Sequence, residues 1–129
     1  MNFYAVVGLY LVEFTNIKNN KYDNIIMEKD FEISKEGTML NVVLGKSLAT
    51  ANAPHLMEEL TKYKDLGVEK IVFDASELTF LASSGIRVVI FCKQKLGGGP
   101  EIVFVNCSKE VYDIFDITGI RSFITFEEK

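Results

Sequence analysis

Two short apolar runs constrain the fold of this chain more than any other feature. An unbroken apolar run fills the centre of KIVFD (residues 70–74) and all but the first position of EIVFV (residues 101–105). Such runs are typical of strands buried on both faces of a sheet. TMLNVVL (residues 38–44) alternates and is rich in branched side chains, so it predicts another strand that ends at Gly45. SFITF (residues 122–126) predicts a short last strand.

Helix signals separate these strands. The first helix is predicted to start at Asn52 and to end at Gly67, and its apolar face comprises Leu56, Leu60 and Tyr63.

Two further helices complete the pattern. One has Ser83 or Ser84 at its N-terminus and ends at Gly97, and the other is capped by Ser108 and ends at Gly119. Alternating strands and helices predict an α/β fold: a mixed sheet of four to five strands with helices packed on it.

The N-terminal residues differ from the rest. Residues 1–23 form a predicted extension to a domain that spans residues 24–129, and they include the apolar run FYAVVGLYLV (residues 3–12). This run is about half the ~20 residues that a membrane-spanning helix needs, so membrane insertion is not expected. We expect an extra strand or hairpin that packs on its own domain or on a second chain.

Composition narrows the class of protein. The 129 residues are 48% apolar and 25% charged, with a net charge of −4, which favours one globular domain and argues against a nucleic-acid binder. Cys92 and Cys107 lie in apolar runs, as small buried hydrophobes do, and indicate a reducing, cytoplasmic setting. The single histidine, His55, has no ligand cluster at metal spacing beside it, so neither a metal nor a cofactor is predicted.

Adjacent hydroxyls mark the stretch FLASSGIRVV (residues 80–89), where a predicted loop passes into a helix. Either Ser83 or Ser84 could simply cap that helix. Alternatively, an exposed hydroxyl there could receive a phosphate, which a helix N-terminus tolerates. Arg87, one turn later, could contact a phosphate or an acidic partner. A hydrolase is not indicated, because LASSG lacks the first glycine of a G-x-S-x-G elbow.

The region around these serines resembles a STAS domain, the fold of bacterial anti-sigma factor antagonists that also occurs attached to sulfate transporters. Members typically show a strand with a terminal acid, an F/L-x-D-S-S-G-L pattern, a helix, a Gly-rich turn, a strand and a helix that ends in T/S-G-L/I. LNVVLGKSLATANAPHLMEEL resembles the first half of the family, and the similarity covers about residues 39–126. The matching residues are Asp74, Phe80, Ser83, Ser84, Gly85, Ile86, Gly97 to Gly99, Phe115, Thr118, Gly119 and Ile120.

The resemblance implies a non-catalytic protein-binding domain. In the family, a serine kinase that acts as anti-sigma factor phosphorylates the first serine of D-S-S-G, and only the unphosphorylated antagonist binds it. Ser83 occupies that position here. The implied partner-binding residues are Ser83, Ser84, Gly85, Arg87, Thr50 and Asn52.

This chain departs from the family pattern at two positions. Ala82 replaces the aspartate before the serines, and Leu48 stands where an acidic residue is usual. Three hypotheses therefore remain. The first is a phosphorylation-switched antagonist, the second is a constitutive scaffold or accessory subunit of a signalling complex or transporter, and the third is a weak anion site. Self-association through the N-terminal extension stays open.

Overall fold

A five-stranded sheet forms the centre of the computed structural model, which describes residues 30–129. The predicted extension, and with it the expected hairpin, lies outside these residues. In spatial order the sheet consists of β1 (Phe31–Glu36), β2 (Met39–Leu44), β4 (Lys70–Asp74), β6 (Glu101–Val105) and β7 (Ile124–Glu127). The short strands β3 (Ser47–Leu48) and β5 (Phe80–Leu81) form a separate parallel pair. The helices are α1 (Ala53–Thr61), α2 (Ser83–Lys95) and α3 (Lys109–Thr118), followed by a 3₁₀ turn at Arg121–Phe123.

The sheet is mixed. β1 and β2 form an antiparallel hairpin in which Glu36 lies opposite Met39, and Gly37 takes a φ of 61° in the turn between them. β2, β4, β6 and β7 are all parallel neighbours. The predicted α/β class and the predicted number of strands are therefore confirmed.

The helices cover one face of this sheet. The connections from β2 through α1, α2 and α3 to β7 all step in the same direction across the sheet. Because such crossovers are right-handed, they place the three helices on the same side. One core cluster accordingly joins alternate strand residues, such as Leu40, Ile71 and Ile102, to helix residues such as Leu56 and Phe115.

Stacked aromatic rings tie the sheet to α3. The rings of Phe73 and Phe104 stack on neighbouring strands with centroids 4.8 Å apart, and Phe115 meets Phe104 edge-on at 4.9 Å. Offset and edge-on geometries are those that aromatic pairs prefer, and such pairs add about 0.5–1.5 kcal/mol beyond the burial of their area.

Helix ends follow the sequence in two cases out of three. α2 ends just before Gly97, whose φ is 66°, and α3 is capped by Ser108 and ends at Gly119 with a φ of 82°. The predicted end of α1 at Gly67 is wrong, because the helix ends at Thr61. The amides of residues 62–64 donate to carbonyls three residues back, so the chain tightens into turns before it reaches the glycine.

None of the helices within residues 30–129 is long and apolar enough to cross a membrane.

Candidate functional site

Two loops at the carboxyl edge of the sheet join into one surface. Residues 45–52 follow β2 and residues 75–82 follow β4. The carbonyl oxygen of Lys46 accepts hydrogen bonds from the amides of Thr79 at 2.8 Å and Phe80 at 3.1 Å. The amide of Ala82 donates to the carbonyl of Leu48 at 3.0 Å. Main-chain bonds thus hold the first loop against the segment that leads to the two serines.

Asn52 holds the first loop in shape. Its Oδ1 accepts from the amide of Ala49 at 2.9 Å, and its Nδ2 donates to the carbonyl of Ser47 at 2.8 Å. The side chain is only 4% exposed and makes no capping bond to α1, although Asn52 occupies the N-cap position. The predicted start of the helix at Asn52 is therefore confirmed, although the side chain does not cap it. The buried side chain of Asn52 holds the loop of residues 45–52 in shape, whereas Thr50 in the same loop is partly exposed.

Ala82 is the N-cap of α2. Its φ of −96° and ψ of 173° are extended, as an N-cap requires, and neither serine contributes a capping hydrogen bond. The interpretation of one serine as the cap is therefore wrong, because Ser83 and Ser84 are already the first two residues of the helix. The positive end of the helix dipole consequently has no side-chain cap from the described part of the chain.

The two adjacent hydroxyls have opposite environments. Ser83 is exposed, whereas Ser84 is 4% exposed. Within residues 30–129, the Ser84 Oγ is buried without a hydrogen-bond partner. An enzyme that acts on the folded domain can therefore reach the hydroxyl of Ser83 but not that of Ser84.

Gly85 allows α2 to approach β3 closely. A Cβ built on Gly85 would lie 2.6 Å from the Leu81 Cδ1, 2.7 Å from the Leu48 carbonyl oxygen and 3.0 Å from the Leu48 Cγ. Real Cβ atoms are essentially never found that close to other atoms. Gly85 is therefore a packing residue beneath the surface, and Leu48 fills the space in front of it.

Two exposed apolar side chains lie close to Ser83 in the sequence. Phe80, three residues before the serine, is 56% exposed, and Ile90 is exposed on α2. Ser83, Arg87 and Ile90 follow each other at spacings of four and three residues, which places them on one side of a helix. We call Phe80, Ser83, Arg87 and Ile90 the docking face. Phe80 matches the family pattern in the sequence, but it was not among the residues predicted to bind a partner.

Comparisons with known proteins agree with this geometry. The sequence model of the STAS domain family matches residues 30–129. The chain belongs to the STAS domain family. The provisionally assigned anti-sigma factor antagonist BtrV of Bordetella bronchiseptica is 33% identical over 85 residues, which cover 65% of this chain and 73% of BtrV.

Solved structures share the fold. The unphosphorylated form of the anti-sigma factor antagonist SpoIIAA superposes with a TM-score of 0.66 at 19% identity, over 74% of this chain and 86% of SpoIIAA. SpoIIAA of Bacillus has also been solved in its phosphorylated form, with a TM-score of 0.60 at 18% identity, over 74% of this chain and 89% of that one. An anti-sigma factor antagonist of Thermotoga maritima, also provisionally assigned, reaches 0.68 at 15% identity, over 77% of this chain and 86% of that one.

A hydrogen-bonded turn shapes the exit from β4 in this STAS domain. Asp74 Oδ1 accepts from the amide of Ser76 at 3.0 Å and from its Oγ at 2.5 Å. Asn106, which takes a φ of 58° after β6, donates from Nδ2 to the Ser76 Oγ at 3.2 Å. Asp74, at the end of β4, therefore holds the start of the loop of residues 75–82, which leads to the two serines. The Asp-Ala-Ser spacing, a common signal of such turns, could have revealed it.

The thiols of this STAS domain are poor nucleophiles. Burial raises the pKa of both Cys92 and Cys107, and for Cys107 the pKa reaches about 11. Cys92 is fully buried, as its apolar context predicts, and Cys107 is partly buried. Residues 30–129 contain no group of three potential metal ligands.

Proposed function

We propose that this STAS domain is a regulatory protein of the anti-sigma factor antagonist type. It acts in the cytoplasm without catalysis, by docking an anti-sigma factor or a related serine kinase on the docking face. Phosphorylation of Ser83 ends the docking. The observation that carries the proposal is the contrast between the exposed hydroxyl of Ser83 and the buried hydroxyl of Ser84 at the start of α2.

The position of Ser83 suits a phosphate. A phosphoserine carries about −1.5 to −2 charges at neutral pH. At the first residue of a helix without a side-chain cap, that charge meets the positive end of the dipole, which stabilises an anion by typically 0.3–1 kcal/mol. The domain therefore stays folded after modification. The added charge changes the binding of the partner instead.

The docking face explains why a partner would be sensitive to this charge. Phe80 and Ile90 offer apolar area on either side of Ser83 along the chain. In this proposal the partner covers these side chains together with Ser83. A phosphate there would have to lose its hydration or find a cation, so a single covalent change weakens the complex.

The relatives support the general kind of function. BtrV and SpoIIAA are both named as anti-sigma factor antagonists, and SpoIIAA exists in a phosphorylated form. Ser83, Ser84 and Gly85 match the S-S-G of the family pattern.

Ala82 favours a second function, that of a constitutive scaffold or accessory subunit of a signalling complex or transporter. In the family pattern an aspartate stands at this position, where its carboxylate lies next to the acceptor serine. The methyl group of Ala82 offers a kinase neither a charge nor a hydrogen bond. A domain that no longer needs phosphorylation would tolerate this replacement.

Phosphate transfer distinguishes the two functions. The full chain is incubated with ATP and an anti-sigma factor serine kinase encoded by the same genome, and its intact mass is measured. We expect one added phosphate on the wild type and on Ser84→Ala, and none on Ser83→Ala. An unmodified wild type that becomes a substrate as Ala82→Asp would contradict the switch and support the constitutive function.

A further inference from the structure

Ser83 and Arg87 lie one turn apart on the same side of α2. Ser83 is exposed and Arg87 is partly exposed, whereas Ser84 and Gly85 between them are buried. Residues four positions apart on a helix have Cβ atoms about 5–6 Å from each other. The two side chains are therefore neighbours on the docking face.

The usual direction of helical side chains favours an approach of Arg87 to Ser83. Every Cα–Cβ bond of a helix tilts towards the N-terminus, and long side chains lie over the preceding turn. The turn before Arg87 begins with Ser83, the first residue of α2. Their order is also the favourable one for an ion pair, because an anion that precedes a cation by four residues agrees with the direction of the helix dipole.

We propose that a phosphate on Ser83 pairs with Arg87 and so withdraws this cation from the partner. The inference rests on the function proposed above and adds the means by which the phosphate acts. An arginine presents a planar set of N–H donors that can bind a phosphate through two parallel hydrogen bonds. Arg87 already takes part in an interaction within the unmodified chain, so the phosphate competes with that interaction for the guanidinium group.

The sequence of α2 places no competing anion on the helix. Its charged residues are Arg87, Lys93 and Lys95, and it contains no acid. The N-cap, Ala82, is also uncharged, whereas the aspartate of the family pattern would bring a carboxylate next to the phosphate. Lys93 and Lys95 lie about 15 and 18 Å farther along the helix axis than Ser83, too far to pair with its phosphate.

The same cation suits an acidic group of the partner before modification. Arg87 is the charged member of the docking face, and the first turn of α2 contains no acidic residue. Because interfaces place opposite charges against each other, we expect an acidic group of the partner opposite Arg87. A phosphate that engages Arg87 removes this contact and adds negative charge that repels the same acidic group. Both effects weaken the complex.

Phosphorus NMR on the full chain tests the pair without a kinase. Phosphoserine is placed at position 83 by an expanded genetic code, and the second pKa of its phosphate, ordinarily about 6, is measured by titration. A cation close to the phosphate lowers that pKa, so we expect Arg87→Gln to raise it by about 0.3–0.7 pH units. Equal pKa values in the two chains would overturn the proposal.

Two control variants separate a specific pair from the general field of the domain. Lys93→Gln removes a cation of the same helix, whose Nζ donates instead to the carbonyl of Pro100 at 3.1 Å. Lys46→Gln removes an exposed cation from the loop that is hydrogen-bonded to Phe80. We expect each to change the phosphate pKa by less than about 0.2 pH units at physiological salt. A shift in either control as large as that in Arg87→Gln would overturn the proposal.

A thermodynamic cycle connects the pair to docking. Calorimetry measures the binding of an anti-sigma factor serine kinase from the same genome to the chain with and without the phosphate, in the wild type and in Arg87→Gln. We expect Arg87→Gln to weaken binding of the unphosphorylated chain about three- to tenfold, and to reduce the further effect of the phosphate by a similar factor. A phosphate effect of the same size in both chains would overturn the proposal.

The two experiments fail separately. If no such kinase binds either form of the chain, the function proposed above is wrong. The phosphorus titration still decides whether Arg87 holds the phosphate, because it needs no partner.

Discussion

The backbone of Leu48 touches the space where a side chain on Gly85 would begin, because a Cβ there would lie 2.7 Å from the Leu48 carbonyl oxygen. The same carbonyl accepts the amide of Ala82. The loop that follows β2 therefore sets both the position of α2 and the direction in which its first residues point.

Gly85→Ala tests this contact. We expect the variant to lose about 1–3 kcal/mol of unfolding free energy, the usual cost of an overpacked core, which outweighs the gain of about 0.5–1 kcal/mol in helix propensity. Denaturant unfolding measures the change. Gly98→Ala is the matched control, since a Cβ at Gly98 meets nothing within 4 Å. If Gly85→Ala were as stable as that control, α2 would not depend on this close approach.

Ala82→Asn tests the unfilled cap of α2. The extended backbone of Ala82 suits an N-cap, so an asparagine side chain there can accept an amide hydrogen bond from the first turn. We expect a gain of about 1 kcal/mol in thermal or denaturant unfolding. Ser108→Ala is the counterpart, because the Ser108 Oγ accepts from the amide of Val111 at 3.2 Å, and it should lose about as much. A loss of stability in Ala82→Asn would show that the loop and not the cap determines the start of the helix.

Ser84→Ala tests the buried hydroxyl. Its Oγ is buried without a partner from the described residues, and such a group costs about 1–3 kcal/mol of desolvation. We expect Ser84→Ala to be more stable than the wild type by about 1 kcal/mol, while Ser83→Ala changes stability by less than about 0.5 kcal/mol, as exposed positions usually do. A clear destabilisation by Ser84→Ala would reveal a hydrogen bond to this hydroxyl.

The strands were predictable because a strand buried on both faces needs a run of apolar residues, and such a run can be seen in the sequence. KIVFD and EIVFV have the same bounds in the structure as in the sequence, since their apolar runs are broken only at the ends. β3 and β5 have two residues each, too few for any periodicity to be read, and they are defined by their pairing, in which Ser47 lies beside Phe80 and Leu48 beside Leu81.

The site was predictable in position but not in detail. The sequence located the start of α2 within one or two residues, yet a Ser-Ser pair does not show which residue faces solvent. That difference arises when Gly85 packs against Leu48, a contact between residues 37 positions apart in the chain. The same holds for Asn52, whose bonds to Ser47 and Ala49 depend on how the loop folds back.

Cys107 should react slowly with alkylating reagents at neutral pH. Burial raises the pKa of this thiol from its ordinary value of 9.0 to about 11, and the thiolate is the reactive form. We expect the rate with iodoacetamide to rise about tenfold per pH unit from pH 7 to pH 10. Cys107→Ser is the control, in which the buried Cys92 should stay unreacted in the native protein. A plateau in the rate below pH 9 would contradict this.

The same shift has a consequence for stability. The native state holds the Cys107 proton more tightly than the unfolded chain does. The stability that this difference contributes to the native state is therefore fully present below pH 9. It should be lost as pH rises from about 9 to 11. The free energy of unfolding of the wild type should therefore fall relative to that of Cys107→Ser over that range.

The most direct test of the central claim is the affinity of the docking face before and after modification. Titration calorimetry compares the binding of an anti-sigma factor serine kinase from the same genome to the unphosphorylated chain and to the chain that carries one phosphate on Ser83. We predict that the phosphate weakens binding at least tenfold, which corresponds to about 1.4 kcal/mol. Equal affinity for the two forms would contradict a switch at Ser83.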